Sequence, residues 1–314
     1  MSNKEPILDI RELSISFHNH NDIIPAVSGC SFSLQKGTCT AIIGESGCGK
    51  SIIAHAILRI LPNNARISGN IKFKSYDLLH VKPPKMENIR GREIGIMFQS
   101  PDRALNPISA LFRQVQEPLI THQIVPITEH HTYIHTMLKK VGFSDTGKAA
   151  YLYPCQCSGG MNQRAITAIV LSLKPDLVIA DEPTKGLDSE RISDVQNCIQ
   201  KILAEKRTVL LITHDIRLAK SLAQETVVMY AGQIIESGPT DEILYSPLHP
   251  YTKGLIQSTP EYGFQPIPGF APPLTNLPPG CRFAPRCTDA SEMCYLQHVE
   301  PVLHNGRMIR CHRY

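Results

Sequence analysis

One stretch constrains this chain more than any other: Gly44-Glu45-Ser46-Gly47-Cys48-Gly49-Lys50-Ser51. It has the form G-x-x-x-x-G-K-[ST], which reads as a phosphate-binding loop. Thr38 to Ile43, just ahead, is short, apolar and β-branched, and predicts a buried strand. Ile52 to Leu58, just behind, predicts the first turns of a helix. Strand, glycine loop and helix is the context this motif requires. A triphosphate brings several negative charges, and glycines let backbone N–H groups close around them. The helix start adds free donors and the positive end of its dipole. Lys50 is placed to reach the β- and γ-phosphates, and Ser51 to ligate Mg²⁺.

The 314 residues fit one large domain with an appendage, or two modest domains. A net charge of +4 and only 6% aromatic residues, with no Trp, argue against a nucleic-acid surface. No basic-then-apolar leader opens the sequence, and no run reaches the roughly 18 apolar residues a membrane span needs. The most apolar stretch, 165–180, is broken by Lys174-Pro175-Asp176. A membrane role would therefore run through partners. Ten cysteines are many, but one lies inside the phosphate loop, which places the chain in a reducing compartment rather than a disulfide scaffold.

Further along, buried-strand patterns end in polar residues. Ile94 to Phe98 runs into Gln99, and Ser100-Pro101 then breaks it. Leu177-Val178-Ile179-Ala180 ends in Asp181-Glu182, at the strand edge where open α/β sheets bind ligands. Asp181 there can hold Mg²⁺, and Glu182 can polarise a water attacking the γ-phosphate. Thr208 to Ile212 runs into Thr213-His214. Ser158-Gly159-Gly160 opens a helical run and is either a second anion-binding shape or a plain cap. Between these lie helical patterns over 108–120 and 128–141, with His122, His130, His131 and His135 read as packed or solvated rather than as metal ligands. Phe17, at the end of an alternating strand over 7–17, suits either the core or an adenine ring.

In this order the pieces resemble an ATP-binding cassette (ABC) ATPase over nearly the whole chain. The resemblance places the Q-loop at Gln99 and the signature at Ser158-Gly159-Gly160. It places the Walker B pair at Asp181 and Glu182, the D-loop at Leu187-Asp188, the switch histidine at His214 and the adenine-stacking aromatic at Phe17. Gly44 to Gly47, Leu105-Asn106-Pro107, Tyr153-Pro154, His249-Pro250-Tyr251-Thr252 and the tail from Leu277 to Cys287 are similar to the ATPase subunits of oligopeptide, dipeptide and nickel importers. The implied fold is an α/β P-loop NTPase cassette with a RecA-like core, an antiparallel β subdomain and a helical subdomain about 106–165. The ATP-binding domain would span 1–245 and a loop-rich cysteine extension 246–314.

The implied chemistry is hydrolysis of ATP with Mg²⁺. Gly44, Glu45, Ser46, Gly47, Cys48, Gly49, Lys50 and Ser51 would hold the nucleotide, with Ser158, Gly159 and Gly160 contributing across a dimer. Ser51, Gln99 and Asp181 would serve the metal, and Glu182, His214 and Gln99 the reaction. The implied assembly is two ATPase subunits head to tail, here of two different chains, on two permease subunits at the cytoplasmic face, fed by an extracytoplasmic substrate-binding protein. Cys157, Met161, Lys185 and Gly186 depart from the family's usual residues, and by the resemblance none of the departures removes a group that contacts phosphate, metal or the attacking water. Cys157 and Gly186 motivate an alternative, a subunit that holds ATP and hydrolyses it poorly. A soluble cassette acting on ribosomes or in DNA repair would show paired cassettes or long coiled-coil inserts, and neither is present in this sequence.

The tail is dense in proline from 247 to 285, which predicts an extended segment rather than a helix. Its cysteines are spaced Cys281-x5-Cys287-x6-Cys294-x16-Cys311. Four thiolates in a segment with little core suggest an organising metal. Zinc favours closer pairs, and the wider spacing suits an iron–sulfur cluster. The family resemblance likewise implies [4Fe-4S], with zinc and free thiols as the other readings.

Overall fold

The computed structural model describes residues 5–19, 22–98, 104–187 and 189–314. They belong to two compact units, Met1–Val81 with Leu210–Tyr314, and Lys82–Val209.

The first unit opens with β1 (Leu8–His18), β2 (Ile23–Leu34) and β3 (Cys39–Ile43), then α1 (Lys50–Ile57), β4 (Ala65–Phe73) and β5 (Tyr76–Asp77). Four of these strands form an antiparallel sheet in the order β2-β1-β4-β5. Leu8, Ile10, Leu13 and Ile15 of β1 are all buried, although the step from Ile10 to Leu13 is three residues instead of two. The pairing register shifts there, and Glu12 takes a positive φ of 48°. This bulge absorbs the extra residue and keeps the apolar side chains on one face.

The second unit carries α2 (Pro83–Ile89), β6 (Ile94–Met97), α3 (Leu111–Thr121), α4 (His130–Lys140), α5 (Thr146–Ala150), α6 (Gly159–Ser172), β7 (Leu177–Asp181) and α7 (Ser189–Ala204). β6 lies parallel to β7, with Met97 opposite Ala180. α3 and α4 pack on α6 through Leu111, Val115, Leu119, Ile134 and Leu138, all fully buried at helical spacing. A Cβ at Gly95 would lie 2.8 Å from Val170, so the glycine lets α6 approach β6. His130 is buried and satisfied locally, its Nε2 3.1 Å from the Val125 carbonyl. The rings of His131 and His135 lie 4.4 Å apart beside Phe112.

The chain then runs through β8 (Thr208–Thr213) and α8 (Ile216–Leu222) to the β9 (Glu225–Tyr230) and β10 (Gln233–Pro239) hairpin, followed by α9 (Thr240–Tyr245). In the first unit β3 lies between β9, to which it is parallel, and β8. All five residues of β3 are buried, as a continuous apolar run in the middle of a sheet requires.

The tail differs from the sequence expectation. The proline-dense stretch begins with a helix, α10 (Pro250–Gln257). Pro250 occupies its first turn, where a missing N–H costs nothing, and His249 Nδ1 accepts the Tyr251 N–H at 3.0 Å as the cap. After α11 (Glu292–Leu296), the hairpin β11 (Val302–His304) and β12 (Arg307–Ile309) adds to the edge of β10. Arg307 and Arg310 anchor it. Arg307 Nη1 lies 3.7 Å from the buried Glu236 carboxylate, and Arg310 donates to the carbonyls of Val299 and Ile234.

Candidate nucleotide site

The phosphate loop lies in the first unit between β3 and α1. Gly44 leaves β3 with φ +151°, and a Cβ there would stand 2.2 Å from the Met229 carbonyl oxygen. Gly49 precedes the helix with φ +103°, and its Cβ would stand 2.5 Å from the Ala26 carbonyl oxygen. Only glycine fits either place. At Gly47 the φ is also positive but the surrounding space is open. No side chain caps α1, whose first turn follows directly on Gly49 at the end of the loop.

Lys50 is buried, and its ammonium donates to the carbonyls of Gly44 at 2.7 Å and Glu45 at 2.9 Å. Its charge is thereby held against the concave side of the loop. Burial pushes the neighbouring Cys48 thiol up, which keeps it protonated 3.8 Å from Lys50 Nζ. Ser51 follows on α1, half-buried. Ser46 is exposed on the loop.

Two more expected residues lie in this unit. His214 is exposed just past the end of β8, the strand beside β3. Phe17 is half-buried near the end of β1, paired with Ile24 and Ala65, and is not part of the sealed core.

The second unit holds the acidic pair. Asp181 ends β7 and Glu182 follows it, 3% and 7% exposed. Glu182 takes a φ of +47°, an uncommon conformation for a residue with a side chain. β6 and β7 are parallel and in register, so β6 ends beside the acids. Gln99 and Asp188 themselves lie outside the described residues. Ser158 caps α6, its Oγ accepting the Met161 N–H at 3.3 Å. Ser158 and Gly159 are exposed, and a Cβ on Gly159 would meet nothing, so this helix start faces open space.

Sequence reasoning missed the residues that hold Glu45. Its N–H donates to the Tyr251 hydroxyl at 2.9 Å. Its carboxylate receives both arms of Arg286, Nη1 to Oε2 at 3.0 Å and Nη2 to Oε1 at 3.1 Å. Tyr251 and Arg286 both stand in stretches singled out above, but no spacing rule joins either to position 45.

The four tail cysteines are partly exposed free thiols. Burial first, with smaller contributions from neighbouring thiols, pushes Cys281, Cys287 and Cys311 up. The sulfurs thus feel one another. Yet among the described residues no three His, Cys, Asp or Glu side chains converge as a metal site. The described geometry therefore lends no support to a preformed iron–sulfur centre, because mutual electrostatic influence reaches further than a bond to a shared ion. Of the residues expected to serve Mg²⁺, Ser51 in the first unit offers a hydroxyl and Asp181 in the second a carboxylate, each an oxygen donor of the class that ion takes.

Residues 27–185 match the family described as "ABC transporter", and residues 235–294 match "Oligopeptide/dipeptide transporter, C-terminal region". The oligopeptide transport ATP-binding protein AppD of Bacillus subtilis is 37% identical over 317 aligned residues, covering 98% of this chain and 97% of that protein. The dipeptide transport ATP-binding protein DppD of the same organism is 39% identical, covering 92% and 89%. A dimeric ATP-binding cassette solved in a post-hydrolysis state with ADP and Pi superposes with a TM-score of 0.67 over 74% of this chain and 98% of that one; at 23% identity this likeness concerns the fold. CbiO1 of Clostridium perfringens, part of an ABC transporter complex, is 27% identical with a TM-score of 0.65, covering 77% and 92%. Among the described residues no helix is long and apolar enough to cross a membrane.

Proposed function

The chain belongs to the ABC transporter family and is one of its ATPases, and we propose on that footing that it powers uptake of oligopeptides or dipeptides. The observation that carries the substrate class is the match of residues 235–294 to the oligopeptide/dipeptide C-terminal region, joined to a cassette whose relatives are named for peptide transport. Nickel or another metal chelate is the other cargo that the same importer reading allows.

In this proposal Gly44 to Ser51 holds the triphosphate, with backbone amides around the phosphates and Lys50 moving from the loop carbonyls onto them. Phe17 stacks on the adenine. Ser51, Asp181 and Gln99 would hold Mg²⁺, which when bound would draw charge from the phosphate oxygens. Glu182 orients and polarises the attacking water, and His214 steadies the γ-phosphate. Ser158, Gly159 and Gly160 serve the nucleotide of a second ATPase subunit, a different chain, so that ATP joins the halves and its hydrolysis parts them. The ATP-binding domain is 1–245 with its helical subdomain at about 106–165, and 246–314 is the extension. The assembly sits on two permease subunits at the cytoplasmic face and receives cargo from an extracytoplasmic binding protein.

For the tail we infer from Cys281, Cys287, Cys294 and Cys311 a four-thiolate centre, [4Fe-4S] ahead of zinc. The sulfurs must draw together on loading, and no step of hydrolysis runs through them.

The test is uptake into vesicles that hold this chain with its permeases, supplied with peptide or with a nickel chelate. ATP-dependent uptake of peptide supports the proposal. Uptake of the chelate alone selects the nickel variant, and uptake of neither removes the importer reading. The alternative, a subunit that binds ATP and leaves hydrolysis to its partner, rests on Cys157 and Gly186. The acid Glu182 and the histidine His214 favour the active reading.

A further inference from the structure

The phosphate loop contains an acid, Glu45, where the ligand is a polyanion. Left alone, that carboxylate would repel the triphosphate. The structure does not leave it alone. Arg286 meets it with a two-point fork, at 3.0 and 3.1 Å, across 241 residues of sequence. The Arg286 side chain is only 6% exposed, against 29% for Glu45.

Arg286 is itself fixed. Its Nε donates to the Pro268 carbonyl at 2.9 Å and its Nη1 to the Tyr230 hydroxyl at 3.3 Å. The guanidinium lies 5.8 Å from the Tyr230 ring centre and 5.9 Å from that of Phe283. Burial works to push the guanidinium down and is outweighed by the bonds to Glu45 and Tyr230, which hold it above its ordinary value. A rigid, desolvated fork of this kind neutralises a carboxylate and also fixes where it points. The Tyr251 hydroxyl takes the backbone N–H of the same residue. Glu45 is thus gripped at main chain and side chain by residues beyond position 246.

We propose that Arg286 is a positioning residue for nucleotide binding: it cancels the charge of Glu45 and turns that side chain away from the phosphates, so that the tail sets the affinity of the loop for MgATP. The inference rests on the reading that Gly44 to Ser51 holds the triphosphate. It gives the tail a role that needs no metal.

The test is MgATP binding to the full-length chain by equilibrium dialysis. R286Q is expected to weaken binding on the order of tenfold at low salt, with the loss shrinking as salt rises. In an E45Q background, R286Q is expected to cost little, because the charge it unmasks is gone. Such recovery separates charge cancellation from anchoring, since the bonds of Arg286 to Pro268 and Tyr230 are lost in both backgrounds. An equal loss in both backgrounds overturns the inference, as does wild-type affinity in R286Q. Should R286Q not fold by circular dichroism, R286K takes its place; it keeps the charge and loses the fork. An intermediate loss that E45Q removes supports the inference, and a loss that E45Q leaves intact overturns it. If the wild-type chain takes up no MgATP, the nucleotide reading itself fails, a result distinct from any of these.

Discussion

A Cβ on Gly44 would stand 2.2 Å from the Met229 carbonyl oxygen, so the last turn out of β3 is pressed against the end of β9. The parallel pairing of β3 with β9, from Thr40 opposite Glu225 to Ile43 opposite Val228, sets that distance. The phosphate loop is therefore built against the sheet and is not a free surface turn.

Gly44→Ala follows directly. The methyl cannot fit without moving β9 or the loop, and the φ of +151° is strained for any side chain. We expect a cost on the order of 2–4 kcal/mol and lost nucleotide affinity. Urea midpoints and MgATP binding measure both, and a variant matching wild type in each would refute the packing account.

Tyr251→Phe removes the acceptor of the Glu45 N–H and leaves the ring packing in place. The ring is fully buried, 4.6 Å from Tyr230 and 5.4 Å from Phe283. Losing one partner of a part-buried bond costs about 1–2 kcal/mol. We expect a lower thermal midpoint together with weaker MgATP binding. A lower midpoint with unchanged binding would mean that Tyr251 supports the tail and not the loop.

His249 makes stability depend on pH. Its ring is buried, and burial pushes it down from 6.5 to about 3. Its Nδ1 accepts the Tyr251 N–H and its own backbone N–H donates to Glu236; a hydrogen bond to the Arg310 backbone works to raise it, and the Lys253 charge adds a smaller push downward. The unfolded chain takes a proton below about 6.5 that the folded chain refuses until about 3. Stability from this group is therefore complete above the upper value and lost as pH falls, by at most about 1.4 kcal/mol per pH unit. Denaturation midpoints at mildly acidic and neutral pH, compared between wild type and H249N, isolate the effect. Parallel pH slopes in the two chains would show that His249 contributes nothing.

Glu182→Gln keeps the shape of the side chain and removes the base. Hydrolysis by the assembled transporter is expected to fall on the order of 10²–10⁴-fold while MgATP binding persists. Unchanged hydrolysis would assign the chemistry to the partner's site and make this chain the regulatory subunit.

The cysteine proposal is read by metal content. Chain purified without oxygen is expected to carry iron and labile sulfide, both lost in Cys287→Ser. Zinc in their place selects the zinc reading, and metal-free protein with four titratable thiols ends the cluster proposal.

The phosphate loop and the strand ends were legible in the sequence because each depends on neighbours in the chain. A glycine at a positive φ, a serine capping α6 and an apolar run ending in an acid are decided within a few residues. The bulge at Glu12 was not legible: a simply alternating strand over 7–17 predicts no break, although Ile10 and Leu13 stand three residues apart. The contacts of the tail were not. Nothing in the order of residues shows that β12 would extend β10, that Pro250 would start a helix instead of extending a loop, or that Arg286 would close on Glu45. Such pairings depend on which surfaces remain after the sheet has formed, and a surface arginine and an arginine bound for a desolvated fork look alike in one dimension. Composition and local pattern determined which groups stand on the loop between β3 and α1 and at the ends of the parallel strands. Only packing over long sequence separations decided what holds them, because burial and ion pairing act through space and leave no periodic trace along the chain.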